Sequence, residues 1–557
     1  MNTELKAWFR GALLAAVGLA AAACDPSRGP QTDSQTNWLH ACDRDSDCED
    51  LECLCGVCTR PCDSSSACER LEGATCLPEG DPGTIALCSG RELDSGVCLP
   101  SCATRECESG QMCVAGACQP VPDGTTQVVV DTSIRHQTLI GFGATLAYAE
   151  NDVVVHPDQA GLLEAMSSDL GLDVLRLRNR YEITGDDDLS TARTIIDGFA
   201  ANLGRAPTVL LASWSPPAAL KANGALECQG NPDTCTLARA TDGGFDYAGL
   251  ASYWRESLDA YATAGVTPDF ISIQNNPDFV PDVLTAAEAC RFLPTEGTQT
   301  VSVDGIDTDV EYPGFAGALT AVTEALVGLE SPPAIAAPET STVWSVAEFT
   351  NSLDLSQVGA ISHHLYGISP DAVDVPSLAA LGELGQNANL PLLQTEMQAD
   401  GMGTAVLMHY ALSVEGVSAY LHGVLAAQEA VAAFNEATLI TIGIDDFSLE
   451  DPYHGLRHFA HDTDPGWIRI DAASSAADLL VTAWLSPDED ALTVILVNPS
   501  DADIDAQLVL GSAASWSSEV TRTSYLGVER SFSLGALPAE GIVRVPGEAI
   551  VTVALRQ

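Results

Sequence analysis

The chain has 557 residues, 46% hydrophobic and 18% charged. That is enough apolar sequence for a large core and more than one domain, which excludes an intrinsically disordered protein. Its 77 acidic against 24 basic residues give a formal net charge of −53, so Coulomb repulsion disfavours nucleic acid and anionic lipid and leaves neutral or cationic partners; most of this acidity reads as a solvated surface.

Residues 1–23 carry Lys6 and Arg10 and then the apolar run "GALLAAVGLAAAA". It is too short for a typical membrane span and fits an export signal. The run ends in "LAAAAC", which resembles a bacterial lipoprotein cleavage site with Cys24 as the lipidated residue, although Ala21 stands where that pattern usually has Leu. An ordinary cleaved signal peptide is the rival reading. The expected location is therefore the cell envelope, at the outer membrane or cell surface, with a lipid as the only membrane attachment. Residues 24–37 then serve as lipidated N-terminus and polar linker.

Fourteen of the 18 Cys fall between Cys42 and Cys118. An even count in an exported segment poor in aliphatic residues predicts a disulfide-rich module over 38–120, with seven bridges of open connectivity. Zinc or redox chemistry is the alternative, since "CLCGVC" holds a Cys-x-x-Cys, but no His lies in the segment. "CDRDSDC" and "CDSSSAC" look like two copies of one short unit.

From residue 138 short apolar runs alternate with helical patterns. The runs are "LIGFGA", "DVLRLR", "PTVLLAS", "DFISIQ", "PAIAAPE", "VGAISHH", "LPLLQTE" and "GVSAYL". Intervening stretches such as "YAGLASYWRESLDAYATAG" repeat apolar residues at three- and four-residue steps, as amphipathic helices do. Eight such units predict an α/β fold, a (β/α)8 TIM barrel over 138–458, with its chemistry at the strand C-termini. Those ends carry Arg176, Trp214, Asn275 with Asn276, His363 with His364, and Glu396. After about residue 458 alternating strands such as "ALTVILVN" and "AIVTVALR" predict a C-terminal β-sandwich over 459–557. Residues 121–137 read as a linker followed by a further strand, "TQVVVDTS". Trp484 and Trp516 read as core.

Nine stretches in order resemble glycoside hydrolase family 30: "QTLIGFGATLAY", "VLRLRN", "ASWSPPAALKANG", "ISIQNNPDF", "CRFLPTEG", "APET", "HLYG", "LLQTE" and "DPGWIRIDA". The resemblance covers roughly residues 128–557 and leans toward the xylan-cleaving branch. It implies a barrel with a side β-sandwich that takes one strand from before the barrel. It also implies retaining cleavage of β-linked glycans by two carboxyl groups about 5 Å apart, one attacking the anomeric carbon and one protonating the leaving oxygen. By the same resemblance Glu396 is the nucleophile. Arg176 keeps it ionised, Asn275 holds the sugar 2-hydroxyl, and Tyr366 lies beside the nucleophile. Trp214 and His364 complete the expected substrate-binding set, with packing an equal reading for His363 and His364.

The second carboxylate is missing. Asn276 occupies the acid/base position, and an amide has no proton to transfer near neutral pH. Asp278 and Glu339 are the nearest substitutes. Gly423 likewise stands where the family pattern places a Trp under the sugar. Cys228 and Cys235 flank "QGNPDT" and suit a loop-closing disulfide, leaving Cys290 unpaired and buried on a helix. No motif implies a metal or organic cofactor. The expected function is an exported family 30-type glycosidase, impaired by the loss of its acid, acting on a polysaccharide or oligosaccharide. The alternatives are a non-catalytic glycan-binding envelope lipoprotein, in effect a pseudoenzyme, and an adhesion or assembly protein acting through the Cys-rich module.

Overall fold

The computed structural model describes residues 126–557 apart from 184–188, 229, 242–243, 283–286, 304–305, 433–436 and 540, together with parts of 42–120. The export signal and Cys24 lie outside the described residues. No helix among the described residues is long and apolar enough to cross a membrane.

The two short Cys repeats each fold as a 3-10 turn held by disulfides. In the first, Asp45–Asp47 lies within the loop closed by Cys42–Cys53 and is followed directly by Cys48, which pairs with Cys58. In the second, Ser65–Cys68 is tied by Cys62–Cys76 and Cys68–Cys98. Six of these eight sulfurs lie close enough in two trios to hold a metal, but all are consumed by cross-links. The remaining expected bridges of this segment lie outside the described residues.

Eight parallel strands close into a barrel in chain order: Gly141–Leu146, Val174–Arg178, Thr208–Ala212, Phe270–Ser272, Ala334–Thr340, Ala360–His364, Leu392–Met397 and Ala419–His422. They match the eight apolar runs. Their side chains divide by the period of two inherent to a strand. Val174, Leu210, Ala212, Ala336, Ala360, Leu393, Ala419 and Leu421 fill the barrel interior, while the alternate residues join the larger core beneath the helices. Inward positions farther along the chain toward the mouth carry Arg176, Trp214 and His364.

The helices follow the expected pattern. Tyr247–Thr263 starts at Asp246, whose carboxylate accepts from Gly249 N, a side-chain N-cap. It buries Leu250, Trp254, Leu258 and Tyr261 at helical spacing. An unexpected hairpin, Gly297–Val303 with Ile306–Tyr312, is inserted after the fourth strand.

The strand preceding the barrel is longer than "TQVVVDTS". It runs Thr126–Thr138 and lies inside the C-terminal sheet, antiparallel to Ile468–Ser474 and parallel to Ile504–Val509. Nine strands form this sheet. The sheet bends at register shifts around Ile468–Asp471, so that strand Ile542–Val545 packs against Ala491–Asn498 over one valine- and leucine-rich core. Trp484 is fully buried and Trp516 packs on the sandwich core. Helix Asp451–Ala460 joins the two parts. His458 on it hydrogen-bonds Thr552 and Thr523 of the sheet at 2.8 and 2.9 Å.

Candidate active site

Arg176 organises the barrel mouth. It is fully buried on the second strand and spends its donors on four partners. Nε reaches Glu339 at 3.1 Å, Nη1 reaches Glu396 at 2.7 Å and Thr145 at 3.1 Å, and Nη2 reaches Asn275 at 2.6 Å. The face of Trp214, half-buried after the third strand, lies 4.4 Å from the guanidinium carbon, within the range of a cation–π contact. Burial works against the charge, and Glu339 and Glu396 outweigh it, so the guanidinium is held more firmly protonated than usual.

Glu396 ends the seventh strand, 7% exposed. One oxygen accepts from Arg176 and the other from the Tyr366 hydroxyl at 2.6 Å. Burial and the Glu396 charge push the Tyr366 hydroxyl well above its ordinary range, so it stays a donor. The carboxylate is thus clamped at both oxygens while its edge remains open to the mouth.

Glu339 is the counterpart below. It is fully buried, bound by Arg176 and by the Ser272 hydroxyl. Burial works to raise its carboxyl, and Arg176 outweighs it, holding the group below the usual carboxylate range. An ionised, enclosed carboxylate has no proton to give, so Glu339 does not replace the missing acid. Nor does Asp278, whose oxygens accept from Ser341 N at 2.7 Å and Ser341 Oγ at 3.0 Å. It caps the turn after the fifth strand.

Asn275 faces Arg176, its Oδ1 accepting from Nη2. Asn276 adopts φ 49°, a left-handed conformation that Asn tolerates better than most side chains. Its N–H donates to the Glu339 carbonyl at 3.1 Å and its carbonyl accepts from Phe279 N at 3.1 Å. Its side-chain Oδ1 is enclosed with no partner among the described residues.

The two histidines separate by strand alternation. His363 points outward, where Nε2 meets Glu415 at 2.5 Å behind the barrel wall. His364 points inward but is fully buried, 3.9 Å from Glu339 and edge-on to Tyr366. With no exposed surface it supports those two side chains from behind and does not line the open mouth, which corrects the expectation that it contacts substrate.

Gly423 follows the eighth strand, and its missing side chain is replaced from elsewhere. A Cβ there would lie 2.4 Å from Cγ of Gln398. Gln398, two residues beyond Glu396, fills this volume and hydrogen-bonds Tyr366. Sequence reasoning missed it; its signal was the placement two residues after the nucleophile position, on the same side of the strand.

Above this layer, Arg178 binds Glu288 through two nitrogens and lies 4.7 Å from the ring of Tyr148. Cys228 and Cys235 form the expected loop-closing disulfide. Cys290 is free and fully buried but does not sit on a helix. Glu288 forms a bridge with Glu227, and the Ala289 carbonyl accepts from Lys221 Nζ, so this backbone is committed to loop-to-loop bonds and runs extended.

No known family's sequence profile matches the chain. A curated endo-1,6-beta-D-glucanase of Aspergillus fumigatus is 29% identical over 221 residues, 33% of this chain and 45% of that enzyme. The chain therefore spans less than half the length of this relative. Among solved structures, the catalytic domain of a glycoside hydrolase family 30 xylanase C from Talaromyces cellulolyticus superposes with a TM-score of 0.58 at 18% identity, covering 77% of this chain and 100% of that domain. A family 30 endoxylanase from Clostridium papyrosolvens gives 0.57 at 17% identity over 77% of this chain and 100% of its own. An endo-beta-1,6-glucanase gives 0.56 at 13% identity over 80% and 98%. The chain thus has the fold of the glycoside hydrolase family 30 enzymes, a TIM barrel with a side β-sandwich.

Proposed function

We propose that this chain is an exported β-glycan-directed protein of family 30 type, in which Glu396 is a retaining nucleophile and Asn276 marks a lost general acid/base. The clamping of both Glu396 oxygens, by Arg176 and Tyr366, carries this reading. Such a clamp aims a carboxylate at one point and keeps it from rotating, which a nucleophile needs and a surface glutamate does not. Asn275, held by Arg176, meets the sugar 2-hydroxyl in this reading. Attack by Glu396 breaks the bond to the leaving oxygen, which departs unprotonated. Glycans with poor leaving groups therefore react slowly.

Purified protein should be incubated with xylan and with β-1,6-linked glucan, the substrate types named for the similar enzymes. Product that disappears in Glu396→Gln supports the enzyme. Product that survives that change contradicts it. Binding without turnover in either form supports the second reading, a glycan-binding protein, which the amide at position 276 and the Gln398-filled floor favour.

The envelope location is proposed on "LAAAAC" alone, with Cys24 diacylated. Cys24→Ser should move the protein to the soluble fraction, and unchanged membrane retention would refute the anchor.

A further inference from the structure

At the opposite end of the barrel from Glu396, a cavity of about 850 Å³ opens between the strand N-termini and the side sheet. Ile140, Leu392 and Ser418 of the barrel form one wall, and Arg469 of the sheet lines the other. Arg469 is 8% exposed. Its Nε donates to Gln137 Oε1 at 3.0 Å, and Gln137 is itself fixed by bonds to the Leu412 and Val417 carbonyls at 2.8 and 3.1 Å. The guanidinium plane is therefore set, yet neither Nη has a protein acceptor among the described residues. Asp471, the nearby carboxylate, lies 3.4 Å from His136.

A buried cation without a counter-ion is costly. Burial pushes the Arg469 guanidinium down to about 10, with only Asp471 opposing. Arg135, on the same cavity wall, is already occupied by Glu489. Glu415 also borders the cavity but turns its carboxylate into the protein. Glu415 is 2% exposed, its Oε1 bound to His363, and its Oε2 has no partner among the described residues. Because His363 balances the Glu415 charge, an anion entering the cavity does not meet a bare carboxylate.

We propose that this cavity is a binding site for a small polyhydroxylated carboxylate, a sugar acid. The two Nη edges of Arg469 take its carboxylate in a fork, and the exposed amides of Gln386 and Asn389, which line the same cavity, meet its hydroxyls. The site is separate from the barrel mouth and does not depend on any glycosidase activity.

The test is calorimetric titration of the full chain with D-gluconate, with D-glucitol, which has the same carbon chain without the carboxylate, and with sulfate, an anion without hydroxyls. Saturable gluconate binding is expected, with glucitol and sulfate each at least about tenfold weaker, the scale of a charge-assisted hydrogen bond. Arg469→Met should weaken gluconate by about tenfold or more. Arg469→Lys, which keeps the charge but loses the fork, should also weaken it and serves if the Met variant fails to fold. Glu396→Gln should leave gluconate binding unchanged, which separates this cavity from the mouth. Absence of gluconate binding, equal binding of sulfate or glucitol, undiminished binding in both Arg469 variants, or loss of binding in Glu396→Gln would each overturn the proposal.

Discussion

Two buried arginines sit at opposite ends of the same barrel under opposite conditions. Arg176 at the mouth has two carboxylates, an amide and a hydroxyl around it. Arg469 at the other end has one amide oxygen and a cavity. Burial disfavours both charges, and the outcome is set by partners: Arg176 is held more firmly protonated than usual, Arg469 less. The lesson is that a buried charge is informative through what it lacks. A fully paired Arg marks a preorganised site, whereas one whose outer donors face a cavity is free to meet an anion.

The largest expected effect is at the paired end. Arg176→Met leaves Glu339 buried without its cation and should destabilise the fold by about 3–5 kcal/mol, as breaking buried ion pairs does. Arg469→Met removes a cation with no carboxylate partner and should change stability by no more than about 1 kcal/mol in either direction, since nothing charged is orphaned. Urea unfolding of both variants measures the contrast, and equal losses would break it.

A pH series sharpens the same comparison through the histidines. His458 at the barrel–sheet seam is pushed down to about 3, and His422 to about 4, both mainly by burial. Depressed values mean that the neutral form is the stable one. Their contribution is complete above the unfolded value of about 6.5 and is lost as pH falls toward 3–4. His363 has the opposite sign: burial works to lower it, and Glu415 outweighs this and raises it. Its contribution is complete below about 6.5 and is lost as pH rises through its folded value. Glu415→Gln should therefore remove stability at pH 6 and flatten the decline above it, while leaving the acid-side loss in place. A decline above pH 6.5 identical in the native and Glu415→Gln proteins would show that this pair does not operate as described.

The smallest effect concerns the filled floor. Gly423→Trp must displace Gln398 and should cost about 1–3 kcal/mol by overpacking. Adding Gln398→Ala should recover part of it. If the two changes are additive, with no coupling in a double-mutant cycle, Gln398 does not occupy that volume.

Much of this was legible in the sequence. The eight apolar runs became the eight barrel strands because parallel strands buried on both sides leave continuous apolar signatures. The strand ends delivered Arg176, Asn275 and Glu396 to one point. Other features were hidden for physical reasons. The hairpin Gly297–Tyr312 is polar, although its "DG" between alternating residues is a turn signal. Strand Thr126–Thr138 continues past Asp131 through polar residues, and from Arg135 on it borders an open cavity and not a core. Cys290 sits in a helix-like string, yet tertiary bonds to the neighbouring loop keep that backbone extended. His363 and His364 were separable by the strand period of two. The pairing of Glu339 with Arg176, which removes it as a substitute acid, required coordinates.

The central claim is that a working nucleophile has been left without its acid. The most direct test is turnover of an aryl β-glycoside whose leaving group needs no proton, with and without azide, in the native, Asn276→Glu and Glu396→Gln proteins. The account predicts native turnover that azide accelerates, none in Glu396→Gln, and a gain on polysaccharide in Asn276→Glu. General acid-base catalysis is worth roughly 100- to 10,000-fold, and the left-handed backbone at position 276 costs the Asn276→Glu protein about 1–2 kcal/mol of stability. Native turnover of polysaccharide at full rate and unchanged by azide, or aryl glycoside turnover that persists in Glu396→Gln, would contradict it.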